Sequence, residues 1–306
     1  MGPRVCAVSV DLDEIGHYHA IHGLGPPAPE RAHAVYDIAL PRLAELSESL
    51  GLPLTLFAVG ADLGRQQSAD RLRDQVRLGH EIGNHSLDHR YDLTRLEPDE
   101  MARQIVDSAS AIEAATGQRP VGFRAPGYTV SDELLELVAR SGHVYDSSVF
   151  PCLAYWSMKL GVLGLQRLAA RRSEAIVGTP QALVAPAGPY RVGTRFWQRG
   201  TGLLELPIQT TPWLRLPYIG TTLTLLGARR ARWLTRGLRR LPLVDLELHG
   251  IDALDASDGL HELVGHQPDV KLPARSKLAT LRAVLETLRG QDREFLTLRE
   301  TAARFG

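Results

Sequence analysis

Residues 5–13 read V-C-A-V-S-V-D-L-D, a short apolar run that ends in two carboxylates. A run of small and β-branched residues without alternation is typical of a strand buried on both faces, as in parallel sheets. Further short runs follow, separated by segments whose apolar residues recur at helical spacing. This alternation predicts an α/β fold with a parallel sheet, either open or closed into a barrel. The other predicted strands are 54–59, 80–84, 121–123, 144–145, 243–248 and 295–298.

The intervening segments predict helices. The clearest covers 98–116 and ends at Gly117, a residue that commonly terminates helices. Pro41 interrupts the periodic segment 31–50, where we expect a kink or break. The other predicted helices are 72–78, 131–141 and 276–288.

Composition limits the class of protein. The 306 residues include 35 Lys and Arg and 35 Asp and Glu, so the formal net charge is zero and no basic field suggests nucleic acid as a partner. Cys6 and Cys152 have neither metal-site spacing nor a disulfide-rich pattern, which fits a reducing compartment. No charged start precedes a long apolar stretch. We therefore expect no signal peptide, no transmembrane helix and a cytoplasmic location.

Residues 152–240 break the alternation and are richer in Pro, Gly, Trp and Arg. We interpret them as an insertion within one domain that spans residues 1–306. The basic stretch 229–240 carries Trp233 with further apolar residues at helical spacing. This pattern favours an ordinary helix that covers the domain, and a helix lying on a membrane surface is the alternative.

The segment H-S-L-D-H at 85–89 places two imidazoles four residues apart, where they can meet on one side of a single turn. Neutral imidazole is a good zinc ligand, and a carboxylate can complete a three-ligand site with an open position. Reactive residues in parallel α/β folds gather at the carboxyl ends of strands, where Asp11 and Asp13 also lie. The pattern predicts metal-assisted hydrolysis.

Five motifs in a fixed order resemble the polysaccharide deacetylase family, the NodB-homology carbohydrate esterases. The resemblance extends from Val5 to about Leu298 and is least clear over 152–240. It implies an irregular (β/α)7-type barrel. The variants of the acidic and arginine motifs look like those of cytosolic-type members that lack export signals. The motifs are V-D-L-D at 10–13, H-S-L-D-H at 85–89, F-R-A-P-G-Y at 123–128, Y-D-S-S at 145–148 and L-E-L-H at 246–249.

The resemblance implies a metal centre and a general base. Asp13, His85 and His89 match the metal ligands of the family. Asp11 matches the general base, and Arg124 matches the arginine that holds this base in place. The family motif has adjacent aspartates, whereas Leu12 separates them here. Alternate residues of a strand share a face, so both carboxylates can point into the site, and the reverse assignment of their roles stays open.

The resemblance also implies a general acid and an oxyanion site. His249 matches the acid, and Asp146 matches a carboxylate that tunes it. The backbone N–H of Gly127 is the expected oxyanion donor, and Tyr128 stands near the family position of a sugar-stacking aromatic. Two alternatives stay open: Asp146 caps a turn with the serines that follow it, and His249 is an ordinary buried histidine.

Other candidate residues carry less specific signals. His17, His19 and His22 form a second metal site or, as we expect, a loop near the site mouth. Trp156, Trp197 and Trp213 either pack in the core or stack on sugar rings. Asp88 either orients a ligand imidazole or faces solvent. Gly178-Thr179-Pro180-Gln181 is similar to a stretch of deformylases that act on lipid-linked aminoarabinose.

The sequence therefore predicts a metal-dependent hydrolase that removes an N-acetyl group from a sugar, with zinc or else Co, Ni, Mn or Fe on the same ligands. The substrate class includes polysaccharides, glycan precursors and lipid-linked sugars, and the last would bring peripheral contact with the inner membrane. One alternative is a deformylase or another hydrolase of non-peptide C–N bonds. A second alternative is an inactive carbohydrate-binding module.

Overall fold

The protein is described here from a computed structural model that covers residues 4–154 and 179–306. Trp156 and Gly178 lie outside these ranges. The described strands form one sheet in the order β6-β7-β5-β4-β3-β2-β1-β8, with β9 also paired to β1. All pairs are parallel except β6 with β7. The strands are β1 Arg4–Asp11, β2 Thr55–Ala58, β3 Glu81–Asn84, β4 Gly122–Phe123, β5 Tyr145–Asp146, β6 Tyr190–Val192, β7 Arg199–Glu205, β8 Leu243–His249 and β9 Arg293–Leu296.

Strand β1 is the centre of this sheet. β8 pairs with residues 5–11 of β1, whereas β9 pairs with residues 4–7 and β2 with residues 9–11. The register places Asp11 level with His249 of β8 and with Phe57 of β2. The carboxyl ends of three strands therefore meet at the end of β1.

The sheet curls into an incomplete barrel, as predicted. The segment 206–219 lies between β5 and β8 at the gap in the sheet. The Leu206 amide donates to the Asp146 carbonyl at 2.8 Å, and the Gln209 amide donates to the Asp245 carbonyl at 3.2 Å. Ile219 then pairs in parallel with Glu247. An irregular segment thus completes the wall that a regular strand would form in a symmetric barrel.

Helices cover the outside of the sheet. Helix α4, for example, turns Met101, Ile105 and Ile112 inward, and all three are fully buried. No helix within the described ranges is long and apolar enough to cross a membrane. The helices are α1 Ile15–His22, α2 Leu40–Leu50, α3 Gln66–Arg77, α4 Pro98–Thr116, α5 Asp132–Arg140, α6 Gly220–Arg236, α7 Ala274–Arg289 and α8 Leu298–Phe305.

Two local features differ from a simple helical or strand pattern. A π-helical turn, Val35–Ala39, precedes α2, and Pro41 occupies the first turn of α2, where a missing N–H costs little. The backbone stays right-handed helical at Ala39 and Leu40, so the irregularity predicted near Pro41 is a π-helical turn and not a break. The predicted strand at 295–298 is wrong at its end, because Thr297 and Glu300 form a capping box that starts α8.

The stretch 152–240 contributes to the main sheet. Within its described part, β6 and β7 pair with each other, and β7 pairs in parallel with β5. Helix α6 follows and packs against α7. The division into one domain with an insertion at 152–240 stays a prediction.

Candidate metal centre and active site

The acidic pair at the end of β1 faces the barrel interior. Asp11 is the last residue of the strand, and the amide of the buried Leu12 donates to the Phe57 carbonyl at 3.0 Å. Asp11 and Asp13 are both buried, at 2% and 5% exposure. The intervening leucine therefore points away, and both carboxylates enter the site as strand alternation predicts.

The His85–His89 loop brings its two imidazoles together after β3. The backbone is left-handed at Ser86 (φ 65°) and at His89 (φ 52°), a conformation that non-glycine residues adopt at a cost. The ring centroids lie 4.9 Å apart. The imidazoles meet as the spacing predicts, but through a strained loop and not on a helical turn.

Asp13 joins this pair. Its Oδ1 lies 3.2 Å from Nε2 of His85 and 3.1 Å from Nε2 of His89. The ligand atoms of the three residues all lie within 4.8 Å of one another. Oδ1 of Asp13 and both ring nitrogens of His89 are buried without a hydrogen-bond partner among the described residues. Two nitrogens and one oxygen that converge without hydrogen bonding each other fit a three-ligand divalent metal site.

The protonation of these residues suits metal binding. Nδ1 of His85 donates to the Arg124 carbonyl at 2.7 Å, which turns Nε2 toward Asp13. Burial alone would raise the pKa of Asp13, but the His89 and His85 imidazoles lower it well below its usual value. Asp13 is therefore an ionised ligand.

Arg124 fixes the second aspartate. It is fully buried, and its Nη1 donates to Oδ1 of Asp11 at 2.7 Å. Its Nε and Nη2 donate at 2.8 Å to the carbonyl and hydroxyl of Ser147, and its Cζ lies 4.2 Å above the Phe57 ring. The other oxygen of Asp11 lies 3.7 Å from Nε2 of His85. Asp11 thus stands beside the metal site with one oxygen held by the arginine.

His249 lies in an adjacent acidic group. The ligand atoms of Asp11, Glu247 and His249 lie within 4.8 Å of one another. The Tyr128 hydroxyl donates to Glu247 at 3.0 Å and lies 3.4 Å from Nε2 of His249. Burial would lower the pKa of His249, but Glu247 and Asp11 raise it to about 9. A protonated imidazole at neutral pH can act as a general acid.

A comparison with known families finds one match within this chain. The sequence model of the family described as polysaccharide deacetylase matches residues 35–145, a segment that holds His85, His89 and Arg124. Residues 35–145 are therefore similar to polysaccharide deacetylases. The fold adds Asp11, Asp13 and His249 from outside the matched segment.

Two curated relatives and one solved structure are similar to this chain. A peptidoglycan deacetylase of Helicobacter pylori is 27% identical over 146 residues, which is 47% of this chain and 48% of that protein. A chitooligosaccharide deacetylase of Bradyrhizobium sp. is 33% identical over 92 residues, or 30% and 41% of the two chains. The chain thus spans less than half the length of these relatives.

The solved structure is a putative polysaccharide deacetylase from Mycobacterium smegmatis. It superposes with a TM-score of 0.62 at 18% sequence identity, over 99% of this chain and 91% of that one. At this identity the similarity concerns the fold alone. It supports the irregular barrel beyond the segment that the sequence model matches.

Asp146 does not join the family site group. Its carboxylate accepts from the Ser148 hydroxyl at 2.8 Å and from the Ser148 amide at 3.0 Å, with Glu205 as its acidic neighbour. These contacts match the alternative of a turn cap. Glu247 is the carboxylate placed beside His249, and the tuning role of Asp146 stays a prediction.

Sequence reasoning missed Glu247 and expected His17 in a loop, whereas His17 lies on helix α1. Glu247 is two residues before His249 on β8, so the alternation that places Asp11 with Asp13 also places Glu247 with His249. His17 lies with its ring centroid 4.3 Å from that of His89. Burial and the neighbouring imidazoles lower the pKa of His17 to about 3, so it borders the metal site as a neutral ring.

The remaining candidates lie in other surroundings. His19 contacts the Gly25 carbonyl at 2.7 Å, and His22 lies 3.4 Å from Gln267, so neither joins the metal ligands. Asp88 accepts from Gln104 at 2.8 Å. Trp197 packs against Phe196, whereas Trp213 is fully exposed.

The loop that follows Arg124 carries the predicted oxyanion donor. Gly127 has a left-handed backbone (φ 60°), and so has Tyr128 (φ 59°). Tyr128 reaches the Glu247 carboxylate, so this loop touches the acidic group directly. The oxyanion role of Gly127 stays a prediction.

Removing the Arg124 side chain tests the support of the site. Arg124→Ala leaves Asp11 buried without its cation, so we expect a loss of about 3–5 kcal/mol in the free energy of unfolding. Arg119→Ala is the control, because its pair with Glu113 is half exposed and contributes at most about 1 kcal/mol. Urea unfolding measures both. Equal losses in the two variants would contradict the role of Arg124.

Zinc titration of metal-stripped protein tests the ligand set. We expect about one equivalent per chain. Affinity should fall by at least about 10–100-fold in His89→Ala and Asp13→Asn, because losing even a supporting group of a metal site costs that much. The exposed His261→Ala and the base variant Asp11→Asn should keep zinc binding. Loss of zinc in Asp11→Asn, with retention in Asp13→Asn, would reverse the assignment of the two aspartates.

Proposed function

We propose that this protein is a metal-dependent hydrolase that removes the N-acetyl group of an N-acetylated sugar. The observation that carries the proposal is the contact between two buried groups. The Asp13–His85–His89 cluster and the Asp11–Glu247–His249 cluster adjoin, with Asp11 only 3.7 Å from His85. Metal-assisted amide hydrolysis needs a metal site beside a general base and a general acid, and these two groups supply candidates for all three.

Asp13, His85 and His89 would hold the metal. A divalent metal in such a site polarises a carbonyl and lowers the pKa of water to about 7. Zinc suits two imidazoles and a carboxylate, and Co, Ni, Mn or Fe can occupy the same ligands. The carbonyl of Arg124 orients the ring of His85, which keeps its ligand nitrogen turned toward the other two residues.

Asp11 and His249 would move the protons. Asp11, kept beside the Arg124 guanidinium at 2.7 Å, accepts a proton from the attacking water. His249, protonated because Glu247 and Asp11 surround it, donates a proton to the amide nitrogen as the C–N bond breaks. The amine then leaves neutral, and the products are acetate and the free amino sugar. The backbone N–H of Gly127 is the proposed donor to the oxyanion.

The relatives support an amino-sugar substrate. Two of them carry the names peptidoglycan deacetylase and chitooligosaccharide deacetylase, and the substrates of both contain N-acetylated sugars. We extend this class to glycan precursors and lipid-linked sugars. The presence of both proton-transfer residues, Asp11 and His249, argues against an inactive carbohydrate-binding module.

A substrate panel tests the activity. Zinc-loaded protein should release acetate from at least one member of a set of chito-oligosaccharides, peptidoglycan fragments and nucleotide- or lipid-linked amino sugars. Asp11→Asn should lower the rate by about 100- to 10,000-fold, the usual contribution of a general base, while zinc content is unchanged. Formate release from N-formyl sugars, without acetate release, would identify a deformylase. Neither product from any substrate would contradict the proposal.

The pH profile of Glu247→Gln tests the acid. A general acid must be protonated, so activity should fall on the alkaline side as His249 loses its proton. Glu247 raises the pKa of His249, so its neutral replacement should lower that pKa and move the alkaline limb of kcat/KM to lower pH. The exposed Glu113→Gln should leave the profile unchanged. An unmoved limb in an active Glu247→Gln enzyme would exclude this role of Glu247.

A further inference from the structure

One segment of this chain carries positive charge without acidic residues. The whole chain is neutral, yet residues 206–244 hold seven arginines and neither Asp nor Glu. We call this stretch the basic segment. Such separation creates a local positive field that a balanced composition conceals. The arginines are Arg215, Arg229, Arg230, Arg232, Arg236, Arg239 and Arg240.

These arginines face solvent without acidic partners. Six of the seven are exposed, and Arg215 is half-buried with its Nη1 donating to the Leu183 carbonyl. Across residues 4–154 and 179–306, none of the seven forms an ion pair. Their charge is therefore free to attract an anionic partner.

A turn in the basic segment exposes large apolar side chains. Thr210 pairs antiparallel with Pro217, and the tip between them carries Trp213 at 98% exposure and Leu214 at 74%. The backbone is left-handed at Trp213 (φ 67°) and at Arg215 (φ 46°). The turn thus adopts an energetically unfavourable backbone conformation that exposes Trp213 and Leu214 to solvent.

Helix α6 exposes a second tryptophan among arginines. After a kink at Gly227, Ala231 and Thr235 pack inward, whereas Trp233 is 73% exposed. Arg229 and Arg236 lie four residues before and three after Trp233, so they share its helical face. The expected helix that covers the domain is present, but its tryptophan lies on the outer face.

The basic segment is joined to the active site. The Tyr218 hydroxyl bonds Thr235 of α6 at 2.8 Å, which ties the base of the turn to the helix. Ile219 pairs with Glu247 and belongs to the same buried cluster as Tyr128. The carbonyl of Arg239 accepts from Arg4 at the start of β1, so the segment runs from the candidate catalytic centre to the opposite end of the sheet.

We propose that the basic segment binds the surface of an anionic phospholipid bilayer. Arginines bind phosphate through paired hydrogen bonds, and tryptophan prefers the boundary between headgroups and acyl chains. A nucleic acid would use the charge but leave Leu214 and the half-exposed Leu225 in water. The combination of unpaired arginines with protruding Trp and Leu matches a membrane surface, and this binding does not depend on the proposed reaction.

Vesicle flotation tests the proposal with the full chain. Vesicles of phosphatidylcholine with phosphatidylglycerol should bind the protein, and vesicles of phosphatidylcholine alone should bind it much less. Raising the salt from about 0.1 M to about 1 M shortens the screening length from about 10 Å to about 3 Å and should release most of the protein. Equal binding to both vesicle types, or none to either, overturns the proposal.

Matched variants distinguish the effect of the basic segment on vesicle binding from the effect of the total charge. Arg229→Gln, Arg232→Gln and Arg236→Gln together should weaken vesicle binding on the order of 100-fold, from the usual contribution of each basic residue near an anionic surface. The control exchanges Arg140, Lys271 and Arg275 for Gln, since these residues are exposed, lie outside the segment and form no ion pair among the described residues. Equal weakening by both triple variants overturns the proposal.

A fluorescence measurement tests the apolar anchors. Brominated phosphatidylcholine, mixed with phosphatidylglycerol, should quench tryptophan emission of the bound protein. The combined variant Trp213→Phe and Trp233→Phe should lose this quenching but keep its far-UV spectrum. Retention of a single-stranded oligonucleotide, with no vesicle binding, would assign the arginines to nucleic acid instead and overturn the proposal.

Discussion

The buried guanidinium of Arg124 is the interaction on which the site depends. A cation without exposure is expensive to desolvate and persists only with a full set of partners. Arg124 has Asp11 on β1, the backbone and hydroxyl of Ser147 after β5, and the ring of Phe57 on β2. It therefore ties three strands together from inside the barrel. The backbone carbonyl of Arg124 accepts a hydrogen bond from His85 and so orients its ring.

One residue thus serves both halves of the candidate centre. The side chain of Arg124 holds Asp11, the proposed base, and its main chain orients His85, a proposed metal ligand. The surrounding interior is acidic, and burial raises the pKa of Asp245 to about 6 although Arg124 opposes this. The field around His249 follows from the same acidic interior. The proposed proton transfer and metal binding would therefore share one electrostatic origin, a barrel interior rich in carboxylates around the buried Arg124.

Local rules of sequence predicted part of this arrangement. Strand alternation was sufficient to place Asp11 and Asp13 on one face, because that rule depends only on neighbouring residues. The same rule would have placed Glu247 with His249, and the resemblance directed attention to Asp146 instead. Trp233 shows the opposite case. Its helical spacing with apolar neighbours suggested a buried face, whereas the kink at Gly227 and the inward packing of Ala231 leave it outside.

The sequence by itself determined the parallel α/β class, most strand and helix positions, and the residues of the candidate metal site. These follow from periodicity, capping and motif order, which are properties of short segments. Only the tertiary structure decided that Glu247 stands beside His249, that Asp146 is engaged by Ser148, and that one segment carries unpaired arginines with exposed tryptophans. Those facts depend on which strands lie next to each other in the barrel and on which side chains are close enough to interact. Both are set only when segments that are far apart in the sequence pack together.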